Sequence, residues 1–531
     1  MEDTDLIILW GSNARETHPI FFHHVLKGVR KGAKLYVVDP RRTSSARCAD
    51  VWLGLDVGSD IALANAVARE IIAAGLQNHR FIARATENFE AYKQTVEPYT
   101  LERAEKITGV PADVIRQLAH SYARADRAQL CWTLGITEHH NGVDNVLGLI
   151  NLALLAGHVG RYGSGLNPLR GQNNVQGGGD MGAIPDRLPG FQHVENDELR
   201  GKFERAWGVR IPPKKGMHLS QMFNAMEEGK LGGLFVIGEN PVHSEADQGR
   251  CERNLQGLDF LVVQDVLMTG TARLADVVLP AASGWCESDG TVTNSERRVQ
   301  RVRKAMNPPA GVMDDIEILC ELARRLGYDW GHPSAEEVWD ELRPLSPMHA
   351  GMSYARLEEM GGIQWPCYDE SHPGEIYLHS RLWEEPVLGP RARFSEVEFD
   401  PPVDALDDDF PLRLTTGRHL ESYNTGAQTS LYRSPLHKRE MLALSPEDGA
   451  QYGLNEGECV RISSRRGSVE APVRFDDSLR PGLAFMSMHF PEQVATNILT
   501  IDATDPKSGT AEFKATAIRV EKIAAPVGAG K

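Results

Sequence analysis

The chain has 531 residues, of which 41% are hydrophobic and 24% charged, so it is too long for one core and has the composition of a globular protein. Its 57 basic and 73 acidic side chains give a formal charge of −16, which argues against general nucleic-acid binding. No apolar run reaches the roughly 18 residues of a membrane span, and the acidic start MEDTD is not a signal peptide.

The opening of the chain predicts an α/β domain. Residues 6–10 (LIILW), 34–38 and 51–55 are short apolar runs, which are typical of strands buried on both faces. Residues 18–30 and 60–75 carry helical patterns. Strand, polar turn and helix in alternation predict a doubly wound parallel sheet. Ligands bind such sheets at the carboxyl ends of the strands.

Polar turns follow these three strands. They read Gly11-Ser12-Asn13, Asp39-Pro40-Arg41-Arg42 and Gly58-Ser59-Asp60. One such turn alone is more often a plain connection between strand and helix, and the absence of a GxGxxG motif gives poor support to NAD binding. Three in succession favour a ligand site.

A further strand is predicted at residues 129–134, followed by Gly135 and then Glu138-His139-His140. Two histidines and a glutamate suggest a metal site. Adjacent side chains project in different directions, however, so we expect no metal ligand here. A strongly apolar helix follows at residues 143–157.

The stretch 161–183 (RYGSGLNPLRGQNNVQGGGDMGA) contains seven glycines and almost no large apolar side chain, so we expect neither an ordinary core helix nor a core strand. Glycine allows a ligand to approach the backbone closely, and Asn and Gln offer donors and acceptors. Arg170 supplies a planar cation that can hold a carboxylate or phosphate through two hydrogen bonds. A flexible linker is the alternative, but this composition and position favour a ligand site.

A second α/β pattern follows, with strands predicted at residues 234–237 and 260–263. The first ends in GENP, which contains Asn240, and the second ends in Gln264-Asp265. The segment ADVVLP is predicted to be a buried strand. Cys286 stands alone, which favours a half-buried free thiol over a metal ligand.

Beyond an acidic, proline-containing joint at residues 400–409 the pattern becomes all-β, and short strands at this spacing predict a barrel. The predicted domains are 1–172 (α/β), 173–285 (second α/β), 286–400 (mixed connection) and 401–531 (β-barrel). The seven cysteines are scattered singly without a CxxC motif. We therefore expect reduced thiols in a cytoplasmic protein and no cluster or structural zinc site in this chain.

Residues 167–183 (NPLRGQNNVQGGGDMGA) resemble the corresponding loop of molybdenum- or tungsten-dependent formate dehydrogenases, in the dimethyl sulfoxide reductase superfamily. GENP, VVQD, ADVVLP and the C-terminal segments extend the resemblance along nearly the whole chain. It implies α/β domains followed by a double-psi β-barrel, two molybdopterin guanine dinucleotides and a molybdenum or tungsten centre.

The resemblance also implies roles for individual residues. Arg170 would hold formate beside the metal. The candidate cofactor contacts are Gly11, Ser12, Asn13, Asp39, Arg41, Asp60, Gly135, Gln172, Asn240, Asp265, Thr416, Gly417, Arg418, Asn497 and Lys514. The first turn would contact phosphate, and the later ones ribose and guanine. The family usually has Gln where this chain has Glu138.

Complete enzymes of this family begin with a four-iron cluster domain, followed by a selenocysteine or cysteine that ligates the metal. We expect this chain to correspond to the part after that ligand, with an in-frame selenocysteine or cysteine codon upstream of Met1. A separate upstream subunit or a degraded gene are the alternatives. Electrons would leave through iron–sulfur, diaphorase or hydrogenase subunits. Two other functions stay open: reduction of another small oxyanion such as nitrate, and a non-catalytic pterin-binding scaffold.

Overall fold

A computed structural model describes residues 1–426 and 439–523. The described residues form two compact units. The first draws on Met1–Leu169, Val242–Glu252 and His379–Lys531, and the second on Arg170–Pro241 and Arg253–Leu378. No helix in these described ranges is long and apolar enough to cross a membrane.

The first 169 residues form a parallel sheet with helices around it. The strands in this part of the chain are β1 (Leu6–Trp10), β2 (Lys34–Val38), β3 (Val51–Leu53), β4 (Thr86–Glu87), β5 (Ala128–Trp132) and β6 (Gly165–Pro168). The short strand β4 lies outside the parallel sheet. The helices are α1 (Ala14–Thr17), α2 (Pro19–Arg30), α3 (Asp60–Ala73), α4 (His79–Ala85), α5 (Phe89–Val96), α6 (Leu101–Thr108), α7 (Ala112–Arg124), α8 (Leu134–Thr137) and α9 (Gly142–Ala156).

The sheet runs β3-β2-β1-β5-β6 within the described chain, and all its pairs are parallel. Every residue of β1 is buried. Leu6, Ile8 and Trp10 pack into one hydrophobic cluster, and Ile7 and Leu9 into another. The apolar run therefore reflects burial on both faces. Since β1 and β5 are neighbours in the sheet but not in the sequence, the strand order reverses between them, which is where such sheets bind ligands.

The segment from residue 170 to 378 contains two three-stranded sheets and a short antiparallel pair of strands, and the second α/β pattern is confirmed. Its elements are α10 (Val175–Asp180), β7 (Arg187–Leu188), β8 (Gln192–His193), α11 (Asp197–Trp207), α12 (Leu219–Glu227), β9 (Gly233–Ile237), α13 (Pro241–Ser244), α14 (Gln248–Gln256), β10 (Phe260–Asp265), β11 (Val277–Pro280), β12 (Gly290–Thr293), β13 (Arg298–Val302), α15 (Asp315–Arg325), α16 (Ala335–Leu342), α17 (Tyr354–Glu359) and β14 (Ile363–Gln364). One three-stranded sheet is parallel, in the order β11-β10-β9, and the other is antiparallel, in the order β12-β13-β14. The short pair is β7-β8.

The glycine-rich stretch forms neither an ordinary core helix nor a core strand, as expected. β6 lies at the edge of its sheet and no residue of it is fully buried, and residues 175–180 form the short helix α10. One local expectation is wrong. The ADVVLP segment forms β11, but this strand lies at the edge of its sheet and is not buried; Val277 is 39% exposed. Apolar composition predicted the strand correctly, but its burial depends on packing against distant elements.

The chain then closes into a barrel, which confirms the predicted C-terminal architecture. The elements are α18 (Arg381–Glu384), β15 (Ala392–Arg393), β16 (Leu412–Thr416), β17 (Leu442–Leu444), α19 (Pro446–Gln451), β18 (Cys459–Ser463), β19 (Ser468–Phe475), β20 (Leu483–Met486) and β21 (Thr516–Lys522). In the described residues β16-β20-β17-β19-β18-β21 form a closed barrel. Inward-facing side chains such as Leu414, Ile462 and Met486 fill its core. β18 and β19 form an antiparallel hairpin around Gly467.

Candidate functional site: polar turns, barrel rim and glycine-rich loop

The turn after β1 leaves two buried polar atoms without a protein partner. Ser12 is fully buried and its Oγ makes no hydrogen bond. The Nδ2 atom of Asn13 is also buried and makes no hydrogen bond. The other end of the Asn13 side chain is fixed, because its Oδ1 accepts a hydrogen bond from the Ser45 hydroxyl at 2.9 Å. A buried donor without a partner costs free energy. These two atoms could therefore donate to a ligand that accepts hydrogen bonds.

The turns after β1 and β5 touch through their backbones. A Cβ on Gly135 would lie 2.5 Å from the carbonyl oxygen of Gly11, and a Cβ on Gly11 would lie 2.8 Å from the carbonyl carbon of Gly135. Gly11 also has a φ of +58°. The Thr133 hydroxyl donates to the Gly11 carbonyl at 2.8 Å and fixes the approach. Only glycine allows two turns to meet at the strand ends in this way.

The next two strands end in buried carboxylates. Asp39 accepts a hydrogen bond from the backbone N–H of Arg41 at 2.9 Å, and burial raises the pKa of its carboxyl to about 6. Asp60 accepts from the Trp10 indole at 2.8 Å, and burial raises its pKa as well. Buried carboxyls that keep acceptor capacity suit a ligand with several N–H donors.

The rim of the barrel contacts this sheet directly. The guanidinium of Arg41 stacks on the Phe485 ring in β20, and Gly417 packs on the same ring. Lys514 donates to the carbonyl of Thr416 at 3.2 Å and forms an ion pair with Glu138 at 2.7 Å. The first unit thus brings the predicted barrel residues at 416, 417 and 514 together with the turns after β2 and β5.

Two other predicted barrel residues are held by backbone carbonyls. Arg418 donates through Nε to the Ser422 carbonyl at 3.0 Å. Asn497 is 2% exposed and donates to the carbonyl of His243 at 2.9 Å. Both belong to the first unit, but these bonds attach them to neighbouring chain segments.

In the second unit, the glycine-rich loop is firmly held at one end and exposed at the other. Asn174 accepts a hydrogen bond from the backbone N–H of Thr293 at 2.9 Å, and a Cβ on Gly177 would lie 2.1 Å from the same Asn174 oxygen. Arg170 and Gln172 are exposed. This arrangement, a fixed α10 with a polar run in front of it, argues against a flexible linker.

Asp180, at the end of α10, is a buried carboxyl that sequence reasoning did not single out. It is 1% exposed, its Oδ1 accepts from the Gln176 amide at 2.7 Å, and the Trp365 indole also faces the carboxyl. Burial raises its pKa to about 6, and the positive charge of Arg170 acts in the opposite direction. The loop therefore carries a carboxyl that titrates near neutrality.

The remaining predicted contacts also lie in the second unit. Asn240 is 6% exposed, and its Oδ1 accepts hydrogen bonds from the N–H and the hydroxyl of Thr271. Asp265 ends β10 and accepts from the backbone N–H of Leu267 at 3.2 Å. The structure places both at the carboxyl ends of neighbouring parallel strands, which is the ligand-binding edge of such a sheet.

Among the described residues no group of three or more His, Cys, Asp and Glu side chains is arranged to hold a metal ion, and the seven cysteines are free thiols. The unpartnered donors at Ser12 and Asn13, the glycine contact and the buried carboxylates instead fit a phosphate-containing nucleotide group with N–H donors on its base.

The chain belongs to the molybdopterin oxidoreductase family. The sequence profile of that family, molybdopterin oxidoreductase, matches residues 1–325, and that of the molydopterin dinucleotide binding domain matches residues 412–517. The protein is therefore an oxidoreductase that uses a molybdopterin cofactor, and the expected family resemblance is confirmed.

Two relatives make the family relationship more specific. The F420-dependent formate dehydrogenase subunit alpha of Methanocaldococcus jannaschii is 40% identical over 528 residues, which are 98% of this chain and 77% of the relative. Formate dehydrogenase H of Escherichia coli is 37% identical over 534 residues, or 99% of this chain and 74% of the relative. Acetylene hydratase from Pelobacter acetylenicus has the same fold, with a TM-score of 0.75 over 98% of this chain and 78% of that chain, at 21% identity.

Proposed function

We propose that this chain is the catalytic subunit of a formate dehydrogenase, which oxidises formate to carbon dioxide at a molybdenum or tungsten centre held by two molybdopterin guanine dinucleotides. The observation that carries the proposal is the exposed Arg170-Gly171-Gln172-Asn173 run in front of the anchored helix α10. Relatives named formate dehydrogenase support the substrate. The fold alone does not, because it is shared with a hydratase.

Arg170 would bind the substrate. Its planar guanidinium can donate two parallel hydrogen bonds to the two oxygens of formate, which fixes the orientation of the C–H bond as well as the position of the charge. Gln172 and Asn173 add further donors on the exposed run. Holding one small anion in a fixed orientation is the contribution that this loop can make to the rate.

The first unit would hold one dinucleotide. Ser12 Oγ and Asn13 Nδ2 would donate to phosphate, and Asp39 and Asp60 would accept from ribose and guanine. Arg41 and Lys514 add positive charge on the barrel side. When bound, the metal–pterin group would supply the redox chemistry by taking up the two electrons of formate.

The second dinucleotide would use the second unit, where Asn240 and Asp265 lie at the strand ends. The proposed cofactor contact set is completed by Gly135, Gln172, Thr416, Gly417, Arg418 and Asn497. We further propose that electrons pass to iron–sulfur, diaphorase or hydrogenase subunits and that a 4Fe-4S cluster is held outside the residues present here. Seven free thiols support a cytoplasmic location.

The test is substitution of Arg170 in the holoenzyme that contains this chain. Arg170→Lys keeps the charge but loses the bidentate geometry, so we expect the KM for formate to rise by about tenfold or more, since a charged hydrogen bond is worth roughly 1.5–3 kcal/mol. Arg161→Lys, in the same glycine-rich stretch, is the matched control and should leave KM unchanged. An unchanged KM in Arg170→Lys would remove this residue from the substrate site.

The same holoenzyme separates the alternatives. Turnover of nitrate with no turnover of formate would support a different small-oxyanion reductase. Retention of the pterin without turnover of either would support a scaffold subunit.

A further inference from the structure

His139 lies in the turn after β5 with both ring nitrogens facing acceptors. Its Nε2 is 3.1 Å from the carbonyl oxygen of Gly135, and its Nδ1 is 3.1 Å from Oε1 of Glu512. A carbonyl oxygen has no proton to donate, so Nε2 must carry one. The state of Nδ1 depends on whether Glu512 is ionised.

Both carboxyl oxygens of Glu512 accept hydrogen bonds. Its Oε1 faces His139 Nδ1 and accepts from the backbone N–H of Lys514 at 3.1 Å. Its Oε2 accepts from the backbone N–H of His140 at 3.1 Å and faces His140 Nδ1 at 3.3 Å. The two backbone N–H groups are donors, so a proton on Glu512 could be shared only with an imidazole nitrogen. Imidazole is a stronger base than a carboxylate, so that proton resides on the ring. Glu512 is therefore ionised and His139 carries protons on both nitrogens.

Both members of this ion pair are buried, so each stabilises the charged form of the other. The exposed fraction is 3% for the His139 side chain and 0% for that of Glu512. Burial by itself would raise the pKa of Glu512, but the charge and hydrogen bonds of His139 and His140 outweigh it and lower the pKa well below its usual range. Burial would lower the pKa of His139, and Glu512 and Asp60 outweigh it in the opposite direction.

The charged groups around the pair come from several elements. Asp60, at the start of α3, attracts His139, while Lys514 repels it. Lys514 is itself paired with Glu138. His140 links Glu512 to Asp400 through its Nε2, at 3.0 Å. With both ring nitrogens acting as donors, neither histidine has a lone pair left for a metal.

We propose that His139 is a permanently protonated imidazolium which, together with Glu512, positions the Gly135 turn and Lys514 for the diphosphate of a pterin dinucleotide. His139 holds the Gly135 carbonyl, and the backbone of Gly135 rests on Gly11. Glu512 holds the backbone of Lys514. One ion pair therefore positions two proposed cofactor contacts, the Gly135 turn and Lys514, that are far apart in sequence. This role rests on the proposed function.

The protonation state can be tested without cofactor. In the chain labelled with ¹⁵N-histidine, the signal that disappears in His139→Gln identifies this ring. We expect both of its nitrogens to show shifts of the protonated form without titration from pH 5 to 9. A neutral-tautomer shift at pH 7 would overturn the assignment.

The positioning role is tested by pterin content, measured as the fluorescence of the oxidised pterin released per purified chain. We expect Glu512→Gln to retain at least fivefold less pterin than the wild type. Asp448→Asn is the matched control, because Asp448 is a buried barrel carboxylate that holds the Gly482 N–H and does not contact the turn. It should retain pterin as the wild type does.

Wild-type pterin content in Glu512→Gln would overturn the positioning role. If that variant does not fold, the double variant His139→Gln with Glu512→Gln replaces it, since removing both charges avoids an unpaired buried ion. The same fivefold criterion applies. A wild-type chain that binds no pterin would instead reject the proposed function, while the NMR result would still decide the protonation state.

Discussion

The guanidinium carbon of Arg41 lies 3.6 Å from the centroid of the Phe485 ring. Arg41 follows the carboxyl end of β2 in the first sheet, and Phe485 belongs to β20 of the barrel. The two residues therefore attach the C-terminal barrel to the strand ends that carry the predicted cofactor contacts. Gly417 packs on the same ring, where a Cβ would lie 2.9 Å from Phe485. A residue predicted as a ligand contact thus also has a structural role.

Arg41→Ala should lower both stability and pterin content. A cation over an aromatic ring contributes about 0.5–2 kcal/mol, so we expect the apparent thermal midpoint to fall by about 0.5–2 °C in a chain of this length. Arg103→Ala is the control, because Arg103 lies over Tyr99 at 4.8 Å and far in sequence from these strand ends. It should change the midpoint less and leave pterin content unchanged. Equal loss of pterin in both variants would contradict a specific role for Arg41.

Gly11→Ala should destabilise the protein by more than its backbone angle explains. A non-glycine residue at positive φ costs about 1–2 kcal/mol, and the contact with the Gly135 backbone adds about 1–3 kcal/mol of overpacking. Gly75 is the control, because its φ is +67° and a Cβ there meets nothing within 4 Å. The difference between the two variants in denaturant unfolding gives the free-energy cost of the contact with Gly135, because both variants carry the cost of positive φ. If they lose the same stability, the close approach of the two turns is not structurally important.

Ser12→Ala should separate folding from ligand binding. The Ser12 hydroxyl is buried and has no hydrogen-bond partner in the protein, so its removal should raise the free energy of unfolding of the cofactor-free chain, by up to about 1–3 kcal/mol. Pterin content should fall. Ser45→Ala should do the opposite in the cofactor-free chain, with a loss of about 1–3 kcal/mol, because the Ser45 hydroxyl bonds Asn13 and the backbone of Arg15. Full pterin content in Ser12→Ala would rule out a contact there.

Asp180→Asn should change how stability depends on pH. Burial raises the pKa of Asp180 from 3.8 to about 6, so the unfolded chain ionises first and the free energy of unfolding falls as the pH rises from about 4 to 6. Above pH 6 the cost stays constant, on the order of 3 kcal/mol at most. The variant should match the wild type near pH 4 and be more stable at pH 7.5.

Asp39 has a pKa raised in the same way to about 6, so Asp180→Asn should reduce the pH slope without abolishing it. Asp197→Asn is the control, since its side chain is 89% exposed. Urea unfolding from pH 4 to 8 measures all three proteins. A wild-type slope in Asp180→Asn would show that this carboxyl does not titrate as a buried group.

Local sequence patterns predicted most of the secondary structure. The continuous apolar runs at β1 and β2 were placed correctly to the residue, because strands buried on both faces require apolar side chains without interruption. Helix α10 was missed. Its glycines argue against a helix, but Gly177 is required by the contact with Asn174, and such tertiary packing outweighs intrinsic propensity.

The sequence by itself determined the α/β architecture, the terminal barrel and the family, because alternation of apolar runs, polar turns and helical periods is local, and the glycine-rich RGQNN loop is distinctive. Only the tertiary structure decided which polar residues act together. Glu512 is remote in sequence from His139, and Phe485 from Arg41, and neither partner lies in a pattern that would reveal it. Their pairing depends on how barrel and sheet pack, and a buried charge is stable only where that packing supplies its partner.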